Sequence, residues 1–265
     1  MIDSVIIGKY VPGRTVIHRM DPRSKLLTIF LYVFIVFFAN NAATYFLLGV
    51  FTLTVILLTK LPFSFLWNGL KPVIWIVAFT FLLHIFVTKE GEVLFRFGFF
   101  AVYEEGLRQG IYISLRFIYL IFMTTTLKLT TTPIEITDGI ESLLNPLKKW
   151  KLPVHELALM MSISLRFILT LLEETDKILK AQMARGVDFT TGPLKERIKA
   201  IVPLLVPLFI SAFKRAEELA TAMEARGYKG SEGRTKIRQL KWGTIDTMMM
   251  ASVLLLAILL LLLRS

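Results

Sequence analysis

Residues 26–59 contain no charged side chain. As a single α-helix that run, about 34 residues, would be roughly 50 Å long, against a bilayer hydrocarbon core of ~30 Å. It must therefore fold back or tilt steeply, and Asn40-Asn41 supplies a polar break at which it can turn. The pattern predicts two helices, 26–39 and 42–59, joined by a very short outer turn and each somewhat short for a full span. One steeply tilted helix is the alternative.

Further apolar blocks follow at 72–88, 106–127 and 242–263, the last being the clearest span. Hydrophobic residues make up 55% of the chain and charged ones 19%, where an average soluble domain carries about 25% charge, so this is a membrane protein. The net charge of +11 lies beside the apolar blocks and is not interleaved with aromatic residues, which argues against a nucleic-acid partner and for cations marking the cytoplasmic side. Lys9, Arg14, Arg19, Arg23 and Lys25 place the N-terminus there, and Lys60, Pro62 and Lys71 frame a return loop on the same side. Five blocks then run alternately out and in, with 128–241 inside and Arg264-Ser265 outside. Val5-Ile6-Ile7 is far short of a signal-peptide core, so insertion is expected to use the mature helices. Asp21-Pro22 has helix-start chemistry, a capping carboxylate followed by a proline whose missing N–H costs nothing at the first helical position.

A few polar residues interrupt the blocks. Arg116 should face protein or water instead of lipid. His84 is readable as a proton relay or, with no acidic neighbour within a helical turn, as a packed and hydrogen-bonded side chain. Gly106, Gly110 and Ser114 form a small-residue ridge that would let another helix approach closely. Residues 89–105, with Glu90, Glu92, Glu104 and Glu105 among alternating apolar positions, read as an outer strand-like hairpin or interfacial loop.

Beyond Thr132-Pro133, residues 133–149 carry Ile136, Ile140, Leu143, Leu144 and Leu147 at helical spacing, which predicts a short amphipathic surface helix stopping near Asn145-Pro146. Two long segments come next. The first is apolar nearly all round from 157 to 172 except for Arg166. Beyond Glu173 it is amphipathic, with Leu172, Thr175, Leu179, Gln182 and Met183 roughly on one face. The second has a charge-free run, 200–213, too short to span and expected to kink at Pro203 and Pro207. Neither is a comfortable membrane span; each reads as partly embedded and then projecting to a partner. The first ends on Ala184-Arg185-Gly186 and the second on Ala225-Arg226-Gly227. One such tripeptide is ordinary helix termination, glycine at C′ and arginine favoured by the macrodipole. Two copies on two long segments favour a paired docking role. Arginine can grip a carboxylate with two bonds, alanine allows close approach and glycine releases the chain.

Catalytic patterns are missing. There is no phosphate-cradling G-x-x-x-x-G-K-[ST], since the loop at 230–235 lacks the lysine, and there is no serine elbow. His18, His84 and His155 are isolated from one another. The absence of cysteine removes thiolate chemistry and disulfides.

At Asp21-Pro22-Arg23-Ser24-Lys25-Leu26, Thr132-Pro133 and above all the two Ala-Arg-Gly tripeptides, the chain resembles the transmembrane coupling subunit of energy-coupling factor transporters, the EcfT family, related to the cobalt-transport subunit CbiQ. The resemblance covers nearly the whole chain. It implies an all-α polytopic membrane protein of about five transmembrane helices plus long amphipathic cytoplasmic coupling helices. The division would be an N-terminal membrane domain (1–130), a coupling-helix domain (131–241) and a C-terminal transmembrane helix (242–265). It implies a non-catalytic scaffold in the cell membrane that binds no cofactor. Two ABC-type ATPases would carry ATP and Mg, and a membrane-embedded S component would capture a vitamin or metal ion. Ala184, Arg185, Gly186, Ala225, Arg226 and Gly227 would dock the ATPases, and the apolar surfaces of 136–172 and 198–213 would carry the S component. The competing reading is a self-contained secondary transporter with its own substrate site, motivated by His84, Arg116 and the two prolines; it needs inverted repeats, and none is found beyond the short Ile-Ser-Leu-Arg-Phe shared by 113–117 and 163–167.

Overall fold

The computed structural model describes residues 10–97, 100–150, 153–187, 193–228, 230 and 239–264. Lys9 of the basic N-terminal cluster, Val5-Ile6-Ile7, most of the basic loop before Lys241 and the end of the chain at Ser265 lie outside them. The chain is all-α apart from one hairpin, and it divides into two compact units, Gly8–Ile140 with Leu240–Ser265, and a second comprising Glu141–Gln239.

In the first unit, the long uncharged run folds back as expected. After the one-turn helix α1 (Val16–Arg19), α2 (Pro22–Ile35) continues into a 3₁₀ turn, Val36–Phe38, and α3 (Ala42–Thr59) starts after the asparagine pair. Asn41 accepts from the Thr44 N–H at 2.9 Å while Thr44 Oγ1 accepts from the Asn41 N–H at 3.1 Å, a reciprocal cap. The asparagines also serve a distant helix. Asn40 Nδ2 donates to the carbonyl of Arg264 at 3.0 Å and Asn41 Nδ2 to that of Leu263 at 2.7 Å, so the turn satisfies carbonyls at the end of α10 (Thr244–Leu262).

The expected return loop holds a helix instead. α4 (Phe63–Leu70) begins after Pro62, buries Leu66 and Leu70 one turn apart, and meets α5 (Ile74–Val87) at a bend of 58°. The short apolar stripe outweighs the flanking lysines and proline, which mark its ends. A two-stranded antiparallel hairpin, β1 (Val93–Phe97) with β2 (Phe100–Tyr103), fills the acidic segment, as the alternation indicates. It leads into α6 (Glu104–Thr130). By length and composition α3, α6, α8 (Val154–Ala184) and α10 could each cross a membrane, and the bent α4–α5 pair could be one more span. α8 therefore departs from the expectation that neither long segment makes a comfortable span.

The small-residue ridge on α6 is used. A Cβ on Gly106 would stand 3.0 Å from the His84 carbonyl oxygen and 3.1 Å from that of Thr88, and one on Gly110 would stand 3.1 Å from the Phe81 ring. α5 thus lies directly against the ridge. Gly106→Val is expected to force the two backbones apart at a cost of about 1–3 kcal/mol, seen as a lowered unfolding temperature in detergent; an unchanged temperature would mean the helices part freely. His84 is half-buried, but its ring makes no hydrogen bond among the described residues, so only the packed half of that reading holds.

The core of this unit gathers Tyr32, Ile35, Val36, Tyr45, Leu48, Val55, Met123, Val253, Leu256 and Leu260. Thr52 Oγ1 donates to the Leu48 carbonyl at 2.8 Å and so must accept from the Tyr32 hydroxyl 2.6 Å away. Arg116 faces protein. Its Nη2 donates to the Tyr45 hydroxyl at 2.9 Å and the Ala39 carbonyl at 3.3 Å, and its guanidinium sits 5.0 Å from the centre of the Phe37 ring.

A buried ionic knot joins the starts of α2 and α10. Asp21 caps α2 by accepting from the Arg23 N–H at 2.8 Å, and Arg23 Nη2 returns to the same carboxylate at 2.9 Å. Burial acts to raise the Asp21 pKa, but the bonds and charge from Arg23 prevail and leave it below the ordinary value. Asp246 accepts from the Asp21 N–H at 2.9 Å and from the Gly243 N–H at 2.8 Å, joining the starts of α2 and α10. Lys25, almost fully buried, donates to the Thr130 carbonyl at 2.9 Å and to Thr131 Oγ1 at 3.2 Å, which ties α2 to the end of α6. Midway along α7 (Pro133–Leu144), a Cβ on Gly139 would come within 2.9 Å of Leu26 Cδ1 and 3.3 Å of Pro22 Cβ, so this stretch lies on the start of α2.

Candidate functional site

The second unit is built on α8 and α9 (Leu194–Ala225), and each helix ends where its tripeptide begins to turn. Ala184 and Ala225 are the last helical residues. Arg185 and Arg226 are the C-caps, with φ, ψ of −84°, 3° and −87°, 6°. Gly186 and Gly227 follow in the left-handed region at φ 87° and 74°. In the first tip the Gly186 N–H donates to the Met183 carbonyl at 3.0 Å and the Val187 N–H to that of Gln182 at 3.1 Å. In the second, the Gly227 N–H donates to Glu224 at 2.8 Å and the Tyr228 N–H to Met223 at 3.0 Å. Both are Schellman turns with the same pairing, so the two tips present one shape twice.

Glycine is required here by its dihedral and not by crowding, since nothing lies within 4 Å of a Cβ placed on either residue. Gly186→Ala with Gly227→Ala is expected to strain both turns by about 1 kcal/mol each, measured as a lowered unfolding midpoint together with loss of left-handed geometry at the tips; an unchanged midpoint would show that the turns relax freely.

All six tripeptide residues are exposed, and the guanidinium groups of Arg185 and Arg226 make no hydrogen bond or ion pair among the described residues. A guanidinium held at a helix C-terminus is favoured by the macrodipole by ~0.3–1 kcal/mol and keeps its full donor set for a partner.

The tips point away from each other. Glu174 of α8 meets Ser211 and Arg215 of α9, whereas Gln182, two turns further along α8, reaches Pro203, two turns earlier on α9. Rising numbers on one helix thus face falling numbers on the other. From the contact at Glu174 each helix runs on for three turns or so, in opposite senses, which separates Ala184 from Ala225 by roughly 30 Å. The two long helices therefore run antiparallel where they meet.

Three features of the pair were beyond sequence reasoning. The tie from Glu174 to Arg215 joins two helices, and no spacing within either one signals it. Pro203 and Pro207 do not break α9, which is continuous through both. Pro207 lacks the N–H that would pair with the Pro203 carbonyl, and that freed acceptor takes the Gln182 Nε2 at 3.4 Å. On the expected amphipathic face of α8, Leu172, Thr175, Leu179 and Gln182 are half-buried but Met183 is 57% exposed. The apolar stretch of α9 is largely uncovered, with Val206, Phe209, Ile210 and Phe213 all exposed; Ile198 lies among the side chains outside the description. No cluster of histidine and carboxylate side chains that could hold a metal occurs among the described residues.

Comparison with known proteins adds two findings. The family model described as the cobalt transport protein CbiQ matches residues 13–237. Proteins named energy-coupling factor transporter transmembrane protein EcfT are similar end to end: that of Bacillus subtilis (strain 168) is 72% identical over 265 residues, covering 100% of both chains. Those of Listeria innocua serovar 6a and Streptococcus thermophilus are 54% and 49% identical, again over 100% of each.

Proposed function

The chain belongs to the EcfT/CbiQ family, and from that premise we propose that it is the transmembrane scaffold, or T component, of an ATP-driven importer of a vitamin or other micronutrient. It is a multi-pass membrane protein of a transporter, and its own part is mechanical. Two ABC-type ATPases bind and hydrolyse ATP with Mg, and each receives one Ala-Arg-Gly tip. A separate membrane-embedded S component captures the substrate and packs on the scaffold. The assembly sits in the cell membrane with its N-terminus and coupling helices on the cytoplasmic side. Functionally the chain divides as 1–130, 131–241 and 242–265.

One observation carries the reading: the same Schellman turn, capped by an exposed arginine whose side chain has no partner among the described residues, occurs at two helix ends that face away from each other. A lone helix cap needs no duplicate, and two docking points roughly 30 Å apart suit two partner subunits better than one groove. The bare apolar faces of α8 and α9, including Leu169 and Phe209, support a second, membrane-embedded partner, because an exposed apolar stripe beside charged tips marks an interaction surface. The alternative of a self-contained secondary transporter loses one of its motives, since Arg116 Nη2 is engaged by Tyr45 and Ala39.

The test is purification of the chain from its native membrane in mild detergent, followed by reconstitution. Two cassette ATPases and a small membrane protein should accompany it, and uptake into liposomes should require ATP. Transport by the isolated chain without ATPases would overturn the proposal.

A further inference from the structure

Glu174 divides its carboxylate between two residues of α9. Oε1 accepts from the Ser211 hydroxyl, and Oε2 accepts from Arg215 Nη2 at 2.8 Å. Ser211 and Arg215 are four apart and so lie one turn apart on the same face of α9. A single point contact would let one helix roll against the other. Two bonds a turn apart on one partner fix both the position of α9 along α8 and its rotation.

The surroundings sharpen the role of this contact. The side chains of Glu174 and Arg215 are 23% and 34% exposed, so the pair is partly shielded from water and its geometry is held more firmly than a surface pair. Beside it, on the side away from Gln182, the helices do not close. An open groove of about 460 Å³ lies between them, lined by Ile163, Phe167, Leu171, Ala216, Leu219 and Met223. The Ala225 tip lies beyond the far end of that groove, and the Ala184 tip lies beyond the other tie, where Gln182 meets the Pro203 carbonyl at 3.4 Å. A tight charged contact between a loosely packed stretch and a single long hydrogen bond is where two crossing helices can change angle without sliding.

We propose that Glu174, Arg215 and Ser211 form the pivot that sets how α8 and α9 cross, and hence where the two arginine tips stand. These are positioning residues for coupling, acting through the arginine tips. The inference rests on the coupling reading above, but its structural half stands without it.

The experiment uses the full-length chain in its complex, with Glu174→Gln, Glu174→Arg, Arg215→Glu and the exchanged pair Glu174→Arg/Arg215→Glu. Spin labels on cysteines introduced at Lys180 and Thr221, exposed and about one turn before each tip, report the distance between the tips; the natural chain has no cysteine to interfere. The distribution should be narrow in the unaltered chain, broaden in each single variant and narrow again in the exchanged pair. Substrate imported per ATP hydrolysed should fall at least 10-fold in the charge-reversed single variants, with the ATPases still co-purifying, and return to within 3-fold in the exchanged pair. Unchanged distances in Glu174→Gln and in both reversals, or an exchanged pair that restores neither distance nor transport, would overturn the pivot. Absence of ATPases from the unaltered complex would instead refute the coupling reading, and the distance measurement would still decide the pivot.

Discussion

Reversing both tip charges, Arg185→Glu with Arg226→Glu, is expected to leave the chain inserted and folded while abolishing ATP-driven uptake. Neither arginine has an intrachain partner among the described residues, so the fold loses only the macrodipole contribution of ~0.3–1 kcal/mol per tip. At an interface the cost is larger. Removing one member of a buried charge pair costs about 2–5 kcal/mol, and reversal adds repulsion against the partner carboxylate. At 1.4 kcal/mol per tenfold, each tip should lose association by at least about 30-fold, and the pair should lose it beyond detection in a pull-down. The measurement is uptake of radiolabelled substrate by whole cells, alongside the amount of chain in the membrane. Normal uptake in the double variant would remove the tips from the mechanism.

The second large effect is on stability. Lys25→Met should cost about 1–3 kcal/mol, because it removes the donor from acceptors that stay buried. Lys25 is 5% exposed, and burial pushes its pKa down to about 8 against the carboxylates of Glu135, Asp246 and Asp21, which favour its charge. Methionine fills the stem volume but offers no donor to the Thr130 carbonyl, 2.9 Å from the ammonium. The unfolding midpoint in a denaturing-detergent titration should fall accordingly, and Asp246→Ala should do likewise by leaving the Asp21 and Gly243 N–H groups unpaired. A shift below 1 kcal/mol for Lys25→Met would show that the knot stays hydrated.

Much of the membrane unit is legible in the chain because bilayer physics leaves few choices. The length of the uncharged run and the placing of Asn40-Asn41 dictate the fold-back, and Asp21-Pro22 dictates where α2 starts. The glycine ridge at 106 and 110 also reads correctly, since a stripe without side chains has little use other than close packing. What could not be read is long-range. That the asparagines would cap α10, some 220 residues away, depends on which helices become neighbours. Local signals also misled in places. The residues Lys60, Pro62 and Lys71 read as a loop, yet Lys60 caps α3 at φ 52° and Pro62 opens α4. At Pro203 and Pro207 the helix runs on unbroken, and the carbonyl freed by Pro207 is taken by the neighbouring helix. In the candidate site the tripeptides are visible because they repeat, while the Glu174 contact is invisible because its register belongs to the crossing of two helices.

The most direct test of the central claim is cross-linking from the tips. With no native cysteine in the chain, single cysteines at Ala184 and Ala225, and both together, can be joined to surface thiols of the co-purified complex by a short bifunctional reagent. The account predicts that each single variant links to one ATPase polypeptide, that the doubly substituted chain links to two at once, and that neither tip links to the S component. Both cysteines reaching the same ATPase polypeptide, or neither reaching any, would contradict a scaffold that engages two motors through two oppositely directed tips.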